Sequence, residues 1–275
     1  MSADRPNSMR KLDNALRRMT PGNRAYVNIR SLVANAIVCQ LMPGGVVKGG
    51  TSLKLRFGDA ATRYTTDLDT ARAASAEDFM SSLAASLAEG WNGFTGRVVE
   101  EEQPHPRGVP AEYVMAPFSV KLSYLGKSWC TVMLEVGHDE IGDADEFDLI
   151  EPAEANGYLG RLGFPPLDPV SCMPLHHQIA QKLHAASAPG SDRAHDLVDL
   201  QVIVANGEVD WPRTKETCLR LFAYRRAQQW PPSIETGEGW SELYDAQAQG
   251  LDVAASAAEA VAWANELIKR IDESA

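Results

Sequence analysis

Val46 and Val47 run into Lys48-Gly49-Gly50-Thr51-Ser52, and the apolar run stops there. A glycine pair admits backbone conformations that other residues resist, so an apolar strand can turn within two residues. Leu53 and Phe57 follow four apart, the spacing of one helix face. The stretch reads as a strand from Gly45 to Lys48, a glycine turn, and a short helix over 51–57. Sixteen residues after Thr51 stand Asp67 and Asp69, with one residue between them. Residues 62–71 alternate like a strand, which puts Arg63, Thr65, Asp67 and Asp69 on one side and Tyr64, Thr66 and Leu68 on the other.

Two carboxylates on one strand face repel each other, and burying them is costly unless a cation joins them. Mg²⁺ suits that spacing, because it takes one or two carboxylates and completes its shell with substrate phosphates. The glycine turn and the helix start after it form a natural phosphate cradle. Together they spell a site for a metal and a nucleoside triphosphate. Other readings of the parts exist. A P-loop fails, because Thr51 stands where its lysine belongs. Sugar-nucleotide transferases use a lone D-x-D, and an exposed acidic strand end shows the same pattern.

Residues 10–20 and 25–41 are expected as helices broken at Pro21-Gly22, 76–90 as a further helix, and the segment around Pro104-His105-Pro106 as a loop. Phe118, Val120, Leu122 and Tyr124 alternate with Ser119, Lys121 and Ser123, Gly126-Lys127 turns, and Trp129 to Val136 returns as the partner strand. Glu135 ends that return strand and is expected to share a face with Trp129, Thr131 and Met133. It is the third candidate metal ligand. Helical periods then dominate at 175–187, 193–205, 214–228 and 253–272, with proline-rich breaks at 165–174, 211–212 and 231–232. The expected fold is α+β with a mixed sheet, two-lobed, with a sheet-bearing domain at 1–150, a helical domain at 151–275 and the site in a cleft.

The 275 residues are 44% hydrophobic, enough for a sizeable core, and no window holds 18 consecutive apolar residues. The leading segment lacks the apolar block of a secretory signal, so a cytoplasmic location is expected. Cys39, Cys130, Cys172 and Cys218 form no C-x-x-C pair and read as buried free thiols. A net charge of −11 argues against an indiscriminate nucleic-acid coat. Yet residues 1–30 carry seven basic side chains and two acids, net +5, which leaves −16 for the remainder. Arg10, Lys11, Arg17 and Arg18 are candidates for a local polyanion contact. A solvated helix face would look the same. His176, His177 and His184 invite a zinc reading that no carboxylate or cysteine pattern completes.

KGGTSL followed by TRYTTDLD, then QIAQKLHA at 178–185 and DRAHDLVDLQVI at 192–203, resembles the AbiEii group of bacterial toxin nucleotidyltransferases. Within it the chain is most like the mycobacterial MenT-type toxins. The resemblance implies a polymerase-beta-like nucleotidyltransferase domain followed by a helical domain. It implies that Asp67 and Asp69 hold Mg²⁺, and that Gly49, Gly50, Thr51 and Ser52 hold phosphates. Lys182 would neutralise the triphosphate, with Arg63 or Lys48 adding positive charge. Asp199 would be a base or a positioning group. From sequence alone, Lys182 could also be a surface lysine, and Asp199 a partner for His195. The implied reaction is nucleotidyl transfer, with two Mg²⁺ ions, to the 3′ end of a transfer RNA, blocking aminoacylation and translation. The rival expectations are a protein or small-molecule acceptor, or a non-catalytic nucleotide-binding module. Relatives often carry serine where Thr65 stands. Phosphorylation there, by a kinase-like or other antitoxin, would set extra negative charge beside Asp67.

Overall fold

A computed structural model describes residues 5–103 and 115–275, so the loop expected around Pro104-His105-Pro106 lies outside the described residues. The helices are α1 (Met9–Arg18), α2 (Asn23–Leu41), α3 (Gly49–Phe57), α4 (Ala76–Glu89), α5 (Ala153–Arg161), α6 (Leu175–Ala186), α7 (Ala194–Asn206), α8 (Trp211–Arg225), α9 (Trp240–Ala248) and α10 (Ala257–Glu273). The strands are β1 (Val46–Lys48), β2 (Leu68–Arg72), β3 (Phe94–Glu100), β4 (Ala116–Tyr124), β5 (Lys127–His138), β6 (Asp148–Ile150) and β7 (Val170–Cys172). They form one mixed sheet in the order β3-β4-β5-β2-β1-β7-β6. No described helix is long and apolar enough to cross a membrane.

By contacts the chain divides into two units. Unit 1 takes Met1–Arg56, Thr65–Asp139 and Ala144–Cys172; unit 2 takes Phe57–Tyr64, Glu140–Asp143 and Met173–Ala275. Unit 1 holds the whole sheet. Leu68, Val120, Leu122, Leu134 and Val136 on one sheet face pack with Leu12 and Leu16 of α1, the apolar side of α2, and Phe79, Leu83 and Leu87 of α4. Burial of these side chains is the main stabilising term, at roughly 1.5–3 kcal/mol each. Unit 2 is helical. Its α6 buries residues all round, including His176, Gln178, Lys182 and His184, rather than facing solvent along a polar stripe.

Several sequence expectations change in detail. The strand expected over 62–71 begins only at Leu68, so Asp67 lies just before β2 and only Asp69 lies in it. Residues 62–67 form no helix or strand. Trp129 does not share a face with Thr131, Met133 and Glu135. The register shifts from Leu122↔Cys130 to Ser123↔Ser128, which leaves Trp129 as an extra residue in β5. Such a bulge reverses the alternation beyond it. Trp129 therefore joins the core with Val132 and Leu134. Pro212 is no break: Asp210 caps α8 by accepting from the Arg213 N–H, and the proline falls in the first turn, where its missing N–H costs nothing. α10 starts at Ala257 rather than 253, because Ser256 accepts from the Glu259 N–H as its cap. β3, β6, β7, α5 and α9 were not anticipated from the sequence. All four cysteines are free; Cys39, Cys172 and Cys218 are buried and Cys130 partly so.

Candidate active site

In unit 1, β2 pairs with β1 on one side and β5 on the other. Lys48 is the register partner of Asp69, and Asp69 of Glu135. Register partners on adjacent strands share a face and lie about 4.8 Å apart. Lys48, Asp69 and Glu135 thus form one row across three strands, on the face opposite the Leu68–Leu134 core side. Gly137, two residues beyond Glu135 on the same face, makes room for the row: a Cβ there would lie 3.2 Å from Lys48 Nζ.

The glycine turn closes over this row. Gly49 has φ +64, the left-handed region that favours glycine, and a Cβ at Gly49 would run into Asp69 Oδ2. A Cβ at Gly50 would meet Thr65 Cγ2 at 3.0 Å. Both glycines are therefore needed for close approach, to the carboxylate and to Thr65. The hydroxyls expected to hold phosphates are used differently. Thr51 is 2% exposed, and its hydroxyl donates to the Asp67 carbonyl at 2.6 Å. Ser52 is fully buried, and its hydroxyl hydrogen-bonds Cys172. What remains for an anion is the first turn of α3, whose N–H groups have no acceptor within the helix.

Sequence reasoning missed Asn35. It is buried in α2, and its Nδ2 donates to Thr51 Oγ1 at 3.3 Å and to the Thr66 carbonyl at 3.3 Å. Asn35 and Thr51 together fix the backbone that carries Asp67. The signal was present: one amide in the apolar run LVANAIV. Asp67 itself is exposed, and Thr66 Oγ1 donates to its Oδ1 at 3.2 Å.

Unit 2 gathers Arg63, Lys182 and Asp199. Arg63 clamps Asp199 with two parallel bonds, Nε to Oδ1 at 2.9 Å and a terminal nitrogen to Oδ2 at 3.1 Å. Lys182 Nζ donates to Asp199 Oδ2 at 2.6 Å and to Asp196 Oδ1 at 2.8 Å. Arg193 Nε donates to Asp196 Oδ2 at 2.9 Å. Burial alone would raise both carboxyl pKa values. The neighbouring cations, Lys182 first, overcome it and hold Asp196 and Asp199 below the ordinary carboxylate range. Burial likewise works against the Lys182 ammonium, and Asp196 and Asp199 raise its pKa in spite of it. Lys182 is thus no surface lysine. His195 is not the partner of Asp199; its Nε2 stands 3.9 Å from Asp196 Oδ1. The three cations exceed the two carboxylates by one charge.

The basic residues of the leading segment sit on α1. Arg10, Lys11, Arg17 and Arg18 are exposed there, in the helical layer behind the sheet, on the side away from Asp69 and Glu135. Arg17 also lies over the Tyr26 ring at 3.9 Å and 3.7 Å from Asp13. Of the three histidines, His176 Nδ1 bonds Thr217 Oγ1 at 2.8 Å, and His184 Nδ1 lies 3.2 Å from Arg225.

A glycine turn set over a carboxylate row on the central strands of a mixed sheet is a frame that suits a nucleotidyltransferase. Residues 31–266 match the family described as nucleotidyl transferase AbiEii toxin of type IV toxin–antitoxin systems, and the chain belongs to that family. Its fold is shared with MenT4, a nucleotidyltransferase toxin of Mycobacterium tuberculosis H37Rv, at a TM-score of 0.59 and 16% identity over 98% of this chain and 91% of that one. JHP933 from Helicobacter pylori aligns at a TM-score of 0.47 and 16% identity over 90% and 93%. No curated protein matches the sequence.

Proposed function

We propose that the chain transfers a nucleotide from a nucleoside triphosphate to the 3′ acceptor end of a transfer RNA, as the toxin of its toxin–antitoxin pair. The observation that carries this reading is the row Lys48–Asp69–Glu135 beneath the Gly49-Gly50 turn. The donor set fits a hard cation. Asp67, Asp69 and Glu135 offer only carboxylate oxygens, which suit Mg²⁺ rather than a softer metal. Magnesium held there would supply Lewis-acid polarisation of the phosphates and of the attacking hydroxyl.

The protein's own groups do the rest. The first-turn N–H groups of α3 bind the phosphates, and Lys48 adds positive charge beside Asp69. Asn35 and Thr51 hold the backbone of Asp67 in place. In the reaction the acceptor hydroxyl oxygen bonds the α-phosphorus, and its proton passes to solvent. The bridging bond to the β-phosphate breaks and pyrophosphate leaves with the electron pair. Asp199 acts as a positioning residue rather than a base, because both its oxygens accept from Arg63 and Lys182. Thr65, packed on Gly50, is the regulatory position. A phosphate there adds about −1.5 to −2 charges where the triphosphate must sit, and an antitoxin with kinase activity would use it.

The test is incubation with total transfer RNA, Mg²⁺ and each α-labelled nucleoside triphosphate in turn, beside Asp67→Ala and Asp69→Ala. Label entering RNA with the wild-type protein and neither variant is the expected result. Label in protein or in a small product would overturn the RNA acceptor. No transfer of any kind would overturn the reaction itself.

A further inference from the structure

The sheet face that carries Asp69 and Glu135 continues outward beyond them. Residues two apart along a strand share a face, as do register partners across strands. Outward from Glu135 the next row is Met133–Ser119–Val99, and the row after it is Thr131–Lys121–Arg97. Each row lies about 6.8 Å from the last, so Lys121 and Arg97 stand roughly 14 Å from the carboxylate row and about 5 Å from each other in strand spacing. α1, α2 and α4 cover the other face. On this one Thr131 and Arg97 are exposed, Met133 is 40% exposed, Lys121 and Val99 are half-buried, and the small Ser119 lies buried between them. Among the described residues neither Lys121 nor Arg97 has an ion pair or hydrogen bond to hold its charge. Glu101 accepts a hydrogen bond from Ser119 at the carboxylate end of this track.

The triphosphate side of the row is already assigned by the glycine turn, which follows β1. Attacking and leaving oxygens lie roughly in line in phosphoryl transfer. The acceptor must then arrive from the β5–β4–β3 side. We propose that this open face is the acceptor track. A single-stranded RNA end lies across β5 and β4, its backbone phosphates on Lys121 and Arg97, its terminal nucleotide over Met133 and Val99, and its hydroxyl at Asp69 and Glu135. The proposal rests on the RNA acceptor proposed above and names where that acceptor binds. A cation on the edge strand β3 would also discourage edge pairing. That accounts for Arg97 but not for Lys121, which sits on an inner strand between β3 and β5.

The experiment compares wild-type protein with Arg97→Ala/Lys121→Ala and with Arg10→Ala/Arg18→Ala on α1. Two quantities are read: binding of fluorescent transfer RNA by anisotropy across a salt series, and the KM and kcat of label transfer. Arg10, Arg18 and Arg97 are exposed and Lys121 is half-buried, so the melting temperatures should stay close. The track variant is expected to bind RNA at least tenfold more weakly and to raise KM for RNA with little change in KM for the triphosphate. Its salt slope should fall by about 1.4, at about 0.7 for each lost single-strand phosphate contact. Unchanged binding and slope in the track variant, with label still entering RNA, would overturn the track and leave the reaction standing. Loss confined to the α1 variant would place the RNA behind the sheet and overturn it too. A wild-type protein that binds no RNA would overturn both the track and the RNA acceptor.

Discussion

Gly49 shows how much one position can decide. Its φ of +64 alone costs a side chain about 1–2 kcal/mol, and its Cβ would also displace Asp69 Oδ2. Gly49→Ala is expected to lower nucleotidyl transfer about 100-fold, the effect of moving a reacting group by about an ångström, with only a small fall in melting temperature. Wild-type turnover in that variant would refute the close approach. Asp199 is the opposite kind of residue, one whose loss is felt first in folding. Asp199→Asn removes the partner of Arg63 and half the charge facing Lys182, and breaking a buried pair from one side costs about 3–5 kcal/mol. Urea denaturation of the two proteins measures this. The Asp199 carboxyl is held below its ordinary value, so its stabilisation is full above the ordinary carboxylate range and is lost as pH falls through the lowered value. The asparagine variant should show a shallower loss in acid.

At the scale of elements, α6 illustrates a helix whose role lies in its burial. Its polar side chains look like a solvent face in the sequence, yet each has a partner within unit 2. Gln178 donates to the Met173 carbonyl, Gln181 to Asp143, and Lys182 to two carboxylates. His184 lies edge-on to Phe222 beside Arg225 of α8. Burial first, and the Arg225 charge second, push its pKa down to about 4 from an ordinary 6.5. The unfolded chain therefore binds the His184 proton more tightly than the folded one. Stability should fall as pH drops from about 6.5 towards 4 and be level above that range. His184→Phe should flatten this part of the profile, as read by melting temperature at stepped pH. An equally steep profile in the variant would exclude His184 as its source. β5 makes a second point. Its bulge at Trp129 recruits a large ring into the core while leaving Thr131, Met133 and Glu135 in phase on the open face.

For the whole molecule, unit 2 is not a contiguous stretch of chain. Phe57–Tyr64 and Glu140–Asp143 belong to it as well as Met173–Ala275. Each insert brings a charged partner: Arg63 for Asp199, Glu140 for Arg225 at 2.7 Å, and Asp143 for Gln181. A fragment of residues 173–275 alone would keep the helices and lose all three. It is expected to lack a cooperative melting transition by circular dichroism. A sharp transition near that of the full chain would show that the inserts are dispensable.

Much of this was readable from residue order alone, where the physics is local. The glycine turn, the D-x-D spacing, the β4–β5 hairpin and the long helices follow from backbone freedom and periodicity within a few residues, and they lead to the nucleotidyltransferase family. Other features needed the tertiary structure because their partners are far apart in the chain. Glu135 faces Asp69 only through a parallel pairing across 66 residues, and Arg63 meets Asp199 across 136. The short strands β6 and β7 have too few residues to declare a period, and Asn35 gains meaning only from Thr51 and Thr66 beside it. Whether a hydroxyl or a basic side chain faces the site was likewise beyond local pattern. Burial turned Thr51 and Ser52 inward, the helical layer carried Arg10 and Arg18 behind the sheet, and register alone put Lys121 and Arg97 on the face of the carboxylates.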